Sequence, residues 1–190
     1  MRKLYIAPSI LAADASRLAE EVAAVEKAGC EYLHIDIMDG HFVPNLTFGA
    51  PVIKKLRQYS DKPFDVHLMI EEPVRYIDDF AKAGADLITI HLEACEDVNA
   101  TIAKIKECGC KVGISIKPNT PVSTLQPYLD KVDMILIMCV EPGFGGQKLI
   151  PECVQKITDV RKWIKERGLN VDVEVDGGIH AGNVRSIIDA

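Results

Sequence analysis

The sequence predicts an α/β fold organised around a parallel sheet, and three observations carry that prediction. One short pattern occurs four times, around Gly29, Gly84, Gly109 and Gly168. In each, an amphipathic stretch stops at the glycine, a β-branched apolar run follows, and the run ends on a polar or ionisable residue. A glycine fits the left-handed position after a helix, so the pattern reads as helix, tight turn, strand. Short strands alternating with helices along a whole chain mean parallel pairing through right-handed crossovers. The balance of 48% apolar and 26% charged residues among 190 is that of a globular protein. A chain this long buries roughly 70% of its extended surface, enough for one substantial core.

The elements follow in order. The apolar run Leu4-Tyr5-Ile6-Ala7-Pro8-Ser9-Ile10 predicts a strand over 4–10, and the amphipathic stretch stopped by Gly29 a helix over 15–28. A strand over 32–37 ends beside Asp36, and a long loop then runs to a helix over 50–58. The pattern continues with strand 64–69, helix 73–83, strand 86–91, helix 97–108 and strand 111–117. A short helix over 121–128, strand 132–139, a glycine-rich loop and helix 150–167 come next, then strand 171–176 and a helix from about 181. No long linker or charge run divides these units, so 1–190 reads as a single domain.

A doubly wound sheet and a closed barrel both accommodate this order. A dinucleotide-type fold carries its glycine fingerprint after the first strand, but Ser9-Ile10-Leu11-Ala12-Ala13-Asp14 has no glycine there. The glycine-rich segment, Glu141-Pro142-Gly143-Phe144-Gly145-Gly146-Gln147, comes late. Ionisable residues recur at the carboxyl ends of several strands, as a (β/α)8 TIM barrel requires. Such a barrel has eight units and about 250 residues. This chain reaches only seven, so the eighth β/α unit is expected to be missing from the 190 residues, with the natural chain continuing past Ala190.

The formal net charge of −6 leaves no electrostatic footprint for nucleic acid. The N-terminal residues, Met1-Arg2-Lys3-Leu4-Tyr5-Ile6, form no leader, and no run approaches the 18 apolar residues of a membrane span. A cytoplasmic protein without membrane partners is the expectation. The six cysteines include no CxxC pair and read as reduced, mostly buried thiols. Cys108 and Cys110 read as a helix end and a strand start, not a metal hook.

The chemistry concentrates in His34, Asp36, His67 and Asp176. His34 and Asp36 are two apart on one strand and so share a face. His67 lies near the end of 64–69, and Asp176 closes 171–176. If the sheet curls, two imidazoles and two carboxylates meet at one mouth, a donor set suited to Zn²⁺, Fe²⁺, Mn²⁺ or Co²⁺. A hydrogen-bonded structural role is the competing reading for each histidine. Gly143, Gly145 and Gly146, with Gly177 and Gly178, allow backbone N–H groups to face an anion such as a phosphate, although either cluster alone could be a tight turn. Met38, Met69 and Met138 sit at corresponding strand ends and read as core filler or as an apolar wall beside a cation. Lys117 also ends a strand and is the candidate amine for a Schiff base. Asp39 reads as a turn residue, and Glu141 as a group orienting the glycine loop.

The chain resembles the ribulose-phosphate 3-epimerase family. The resemblance is carried by Ile6-Ala7-Pro8-Ser9-Ile10-Leu11-Ala12-Ala13-Asp14 and by the segment from His34 to Asn45, His-Ile-Asp-Ile-Met-Asp-Gly-His-Phe-Val-Pro-Asn. Phe48-Gly49, Asp65-Val66-His67-Leu68-Met69, His91-Leu92-Glu93, Val140 to Gln147, and Glu174-Val175-Asp176-Gly177-Gly178-Ile179 continue it. The resemblance implies a (β/α)8 barrel that interconverts D-ribulose 5-phosphate and D-xylulose 5-phosphate in the pentose phosphate pathway. It implies one divalent metal ion per subunit on His34, Asp36, His67 and Asp176. It also implies an acid–base pair of Asp36 and Asp176 working through a cis-enediolate, one on each face of the substrate. Ser9, His67, Met38, Met69 and Met138 would line the substrate, and Gly145, Gly146 and Gly178 would contact its phosphate. A homo-oligomer is expected. Cys139 and Leu149 depart from the family's usual residues. The rival readings are a 3-epimerase for a six-carbon sugar phosphate, a Schiff-base aldolase using Lys117, and a metal-free sugar-phosphate binding or structural protein.

Overall fold

A computed structural model describes residues 4–190; the reading of Met1, Arg2 and Lys3 as leaderless lies outside the described residues. Six strands form one sheet: β1 (Leu33–Met38), β2 (Phe64–Met69), β3 (Leu87–His91), β4 (Lys111–Ile116), β5 (Met134–Met138) and β6 (Asp172–Asp176). They pair in chain order, every neighbour parallel. The helices are α1 (Leu18–Lys27), α2 (Ala50–Leu56), α3 (Ile77–Ala83), α4 (Val98–Glu107), α5 (Cys153–Glu166) and α6 (Val184–Asp189). No helix among the described residues is long and apolar enough to cross a membrane.

The repeated glycine does what its chemistry predicts. Gly29, Gly84, Gly109 and Gly168 have φ of 100°, 103°, 79° and 64°, the left-handed values that end a helix and turn the chain into the next strand. α4 adds an Asp97 side chain that accepts from the Ala100 N–H at its start, and Lys104 and Lys106 lie in its last turn. Both complement the helix dipole.

Two expected elements are corrected. The segment over 4–10 does not join the ladder and makes only an isolated bridge, Ser9 to His34. Pro8 has no N–H to offer, and Ile6 spends its carbonyl on the N–H groups of Glu31 and Tyr32 at 3.0 and 3.3 Å. The expected helix over 121–128 is a 3-10 helix, Val122–Tyr128, with Pro127 inside it. A proline there removes a donor that an α-helix needs. The sheet therefore has six strands where seven were expected.

Alternation along each strand separates two environments. Leu33, Ile35 and Ile37 of β1, with Phe64, Val66 and Leu68 of β2, point outward to the helices. They pack in one cluster with Val22, Ile53, Phe80, Ile105, Ile157 and Val160 from the helix layer. The intervening residues point inward. There Leu87, Met134, Leu136 and Met138 pack together, and so do Met38 and Met69. His34, Asp36, Asp65, His67, Thr89, His91 and Ser115 are buried on that same inner side. Buried polar groups are rarely left unpaired, and His34, Asp36, Asp65 and His67 pair among themselves.

The sheet is strongly curled. β1 and β6 are its two edges and share no ladder, yet His34 Nδ1 on β1 lies 3.3 Å from Glu174 Oε1 on β6. A flat sheet would hold these edges five steps apart, at about 4.8 Å per step. The architecture is a curled half-barrel with helices outside and chemistry inside.

Candidate active site

Strand register places the side chains. Across β1 and β2, His34 pairs with Asp65, Asp36 with His67 and Met38 with Met69. Across β5 and β6, Leu136 pairs with Glu174 and Met138 with Asp176. The curl then carries β6 over to β1. His34, Asp36, His67 and Asp176 each present one ligand atom, and these four atoms lie within 4.8 Å of one another.

Asp36 is the hub. Its Oδ1 is 3.3 Å from His34 Nε2 and 3.0 Å from His67 Nδ1. Its Oδ2 accepts a 2.5 Å hydrogen bond from Ser9 Oγ. The donor set fits a divalent ion on a specific ground: His34 Nε2 is buried and makes no hydrogen bond. The same ring is pinned on its far side, where Nδ1 meets Asp65 Oδ2 at 2.7 Å. A carboxylate that anchors Nδ1 fixes the ring with Nε2, the nitrogen without a hydrogen-bond partner, turned to the cluster. Two imidazole nitrogens and two carboxylate oxygens suit the borderline ions expected from the sequence.

The electrostatics split the carboxyls. Burial disfavours a charged Asp36, but His34 and His67 outweigh it and hold the carboxyl well below its ordinary range. Burial and the Asp36 charge instead push Asp176 upward, against His34 and His67. Burial opposes a charged His34, yet Asp65, Asp36 and Glu174 together raise it well above the usual imidazole value. Burial and the Asp65 charge push Glu174 up to about 8.

A cavity of about 550 Å³ opens above the cluster. Asp36 and Asp176 reach it, with Ser9 and the methionines Met38, Met69 and Met138 beside them. Gly143, Gly145, Gly146, Gly177 and Gly178 line it as well. Gly178 has φ +72°, and a Cβ there would stand 2.3 Å from the Leu149 backbone nitrogen, so no other residue fits this turn. Asn45 Nδ2 donates to the Gly143 carbonyl at 2.7 Å, tying the loop after β1 to the glycine loop.

His34 joins the cluster expected of it. His67, expected both in that cluster and along the substrate, joins the cluster but does not line the cavity, and is fully buried beside Asp36. Lys117 lines a separate cavity with His41, Phe42 and Glu93, its Nζ 3.8 Å from the centre of the Phe42 ring. Among the described residues, the Schiff-base reading therefore has no lysine lining the cavity above Asp36. Asp39 serves its turn, accepting from the N–H groups of His41, Phe42 and Glu71. The Glu141 carbonyl accepts from Gln147 Nε2 at 2.7 Å, inside the glycine loop. Asp65 and Glu174 are site residues that the sequence reading passed over. Each stands two residues before a chosen ligand, and the period that joined His34 to Asp36 would have found both.

The model of the ribulose-phosphate 3 epimerase family matches residues 5–190. The ribulose-phosphate 3-epimerase of Bacillus subtilis is 48% identical over 188 residues, 98% of this chain and 87% of that one. The enzyme of the same name from Escherichia coli is 49% identical over 191 residues, 100% of this chain and 85% of that one. Among solved structures, a mutant tryptophan synthase alpha-subunit from Pyrococcus furiosus superposes with a TM-score of 0.68 at 14% identity. That match covers 95% of this chain and 80% of that one and shows a TIM-barrel-like fold alone. By profile and by identity along nearly its whole length, this chain belongs to the ribulose-phosphate 3-epimerase family of isomerases.

Proposed function

We propose that the chain interconverts D-ribulose 5-phosphate and D-xylulose 5-phosphate by moving the proton on C3. One observation carries the reading beyond family membership. Four ligand atoms from three strands converge within 4.8 Å, and two of the groups, Asp36 and Asp176, also face a cavity with a glycine-rich rim. The C3 proton is α to the C2 carbonyl, so its removal gives an enediolate. A divalent ion held by His34, Asp36, His67 and Asp176 would supply positive charge beside that developing anion.

The protein's own groups do the rest. Asp36, oriented by Ser9 and His67, removes the C3 proton from one face. Asp176 delivers a proton to the other, and the reverse reaction exchanges their roles. Met38, Met69 and Met138 form an apolar wall that keeps water from the planar intermediate. The N–H groups of the turns at Gly143–Gly146 and Gly177–Gly178 hold the phosphate end.

Exchange of the C3 proton with solvent deuterium tests the assignment. Asp36→Asn is expected to keep the metal and lose about 10²–10⁴-fold in exchange rate. Undiminished exchange in that variant overturns the assignment.

A further inference from the structure

The methionine wall of the cavity has a backing of its own. The loop after β1 folds back on itself through an isolated bridge between Asp39 and Leu46 and carries Phe42 near its tip. Phe42 packs against Met38, Val43 and Met69. Met38 and Met69 line the cavity above Asp36 and Phe42 does not, so the ring stands behind the wall.

Lys117, one residue past the end of β4, grips Phe42 twice. Its Nζ donates to the Phe42 carbonyl at 3.3 Å and lies 3.8 Å from the centre of the ring. Glu71, Glu72, Glu93 and Glu96 line the same outer cavity. Among the described residues, however, the Lys117 ammonium forms an ion pair with none of them. The backbone behind it explains the aim. Glu93 Oε1 accepts the Lys117 N–H at 2.7 Å and the Thr120 hydroxyl. From α5, Lys156 Nζ donates to the carbonyls of Lys117, Pro118 and Thr120 at 3.3, 2.6 and 2.7 Å. A segment anchored from two sides presents its side chain at a lower cost in freedom than a loose one. The same segment reaches the glycine loop, where Asn119 Nδ2 donates to Glu141 Oε1 at 3.3 Å.

We infer that Lys117 is a positioning residue that holds Phe42 against Met38 and Met69 and so keeps the apolar wall in place. The inference rests on the proposed function only in what that wall does. Lys117 does not line the cavity above Asp36 and acts through Phe42.

Two substitutions separate the grip from the amine. Lys117→Met keeps the apolar stem and removes the charge and the donors. Lys117→Arg keeps charge and donors, and a guanidinium also lies well on a ring face, but it forms no Schiff base. In Lys117→Met, deuterium exchange across residues 40–47 is expected to quicken about 10-fold. With Zn²⁺ present, kcat for D-ribulose 5-phosphate is expected to fall about 10-fold while KM moves less than about twofold, because the wall adjoins the reacting carbons and not the phosphate. Lys117→Arg restores most of both. Unchanged exchange across 40–47 in Lys117→Met overturns the inference, whatever the activity. So does quickened exchange with unchanged kcat, since the grip then serves the loop alone. Lys117→Arg with wild-type exchange but the low kcat of Lys117→Met overturns it too, since the amine itself would then matter. Wild-type protein that turns over no sugar phosphate overturns the proposed function instead, and the exchange comparison still decides the grip.

Discussion

Gly113 offers a severe test of how the inner face is packed. It lies in β4, beside Thr89 of β3 and Met134 of β5. A Cβ at this position would stand 2.1 Å from Thr89 Oγ1, 2.9 Å from Thr89 Cβ and 3.2 Å from Met134 Cε. Thr89 is fully buried and β-branched, so its hydroxyl has few rotamers to retreat into. Its Oγ1 also lies 3.5 Å from Asp65 Oδ1, and Asp65 pins His34. Overpacking of this kind costs about 1–3 kcal/mol. Gly113→Ala should therefore lower the urea-unfolding free energy of the metal-free chain by about 2 kcal/mol. Thr89→Ala, which loses a weak hydrogen bond and a methyl group, should cost about 1 kcal/mol. The double variant removes the 2.1 Å clash but keeps the 2.9 Å one, because Thr89 Cβ remains. It should recover at least about 1 kcal/mol against the sum of the two single costs. Additivity within about 0.5 kcal/mol would refute the packing argument, since that is the behaviour of residues that do not touch.

Other outcomes follow from the same geometry. Gly178→Ala combines φ +72° with a 2.3 Å backbone contact, so it should destabilise by about 1–3 kcal/mol and raise KM for the sugar phosphate more than it lowers kcat. Burial works against a charged Asp39, but three backbone N–H groups prevail and hold its carboxyl below the ordinary value of 3.8. A depressed carboxyl stabilises the fold above its unfolded pKa and loses that contribution as pH falls through the folded one. Asp39→Asn should thus cost about 1 kcal/mol at pH 7, and the gap from wild type should close in acid, read by urea melts across pH. Burial pushes the Cys139 thiol up to about 12, and Cys139 and Cys153 are both inaccessible. Iodoacetamide at pH 8 followed by mass spectrometry should leave both unmodified in the folded protein and label both after denaturation.

The fold was legible where local pattern decides it. A glycine-stopped helix followed by a β-branched run located β1, β3, β4 and β6, and an apolar run alone located β2 and β5, all to within about two residues, because each signal lies inside its own unit. The segment over 4–10 looks equally strand-like, but a ladder depends on donors as well as side chains, and Pro8 removes one. The ligands were legible through the two-residue period that puts His34 and Asp36 on one face. Asp65 and Glu174 lie on that face too and the same period marks them, but their partner, His34, is set by the register and curl of the strands. The grip of Lys117 on Phe42 was beyond reach for another reason. It depends on where two loops meet, and neither loop's sequence states the position of the other.

The alternation along β1 has a consequence for how such a protein can change. Ile35 looks to the helices and Asp36, its immediate neighbour, to the cavity. A substitution at one is felt as weaker folding, and at the other as altered chemistry. Selection can therefore work on the two almost independently. A lineage could exchange its inward residues for a new substrate while its outward ones keep the same shell intact.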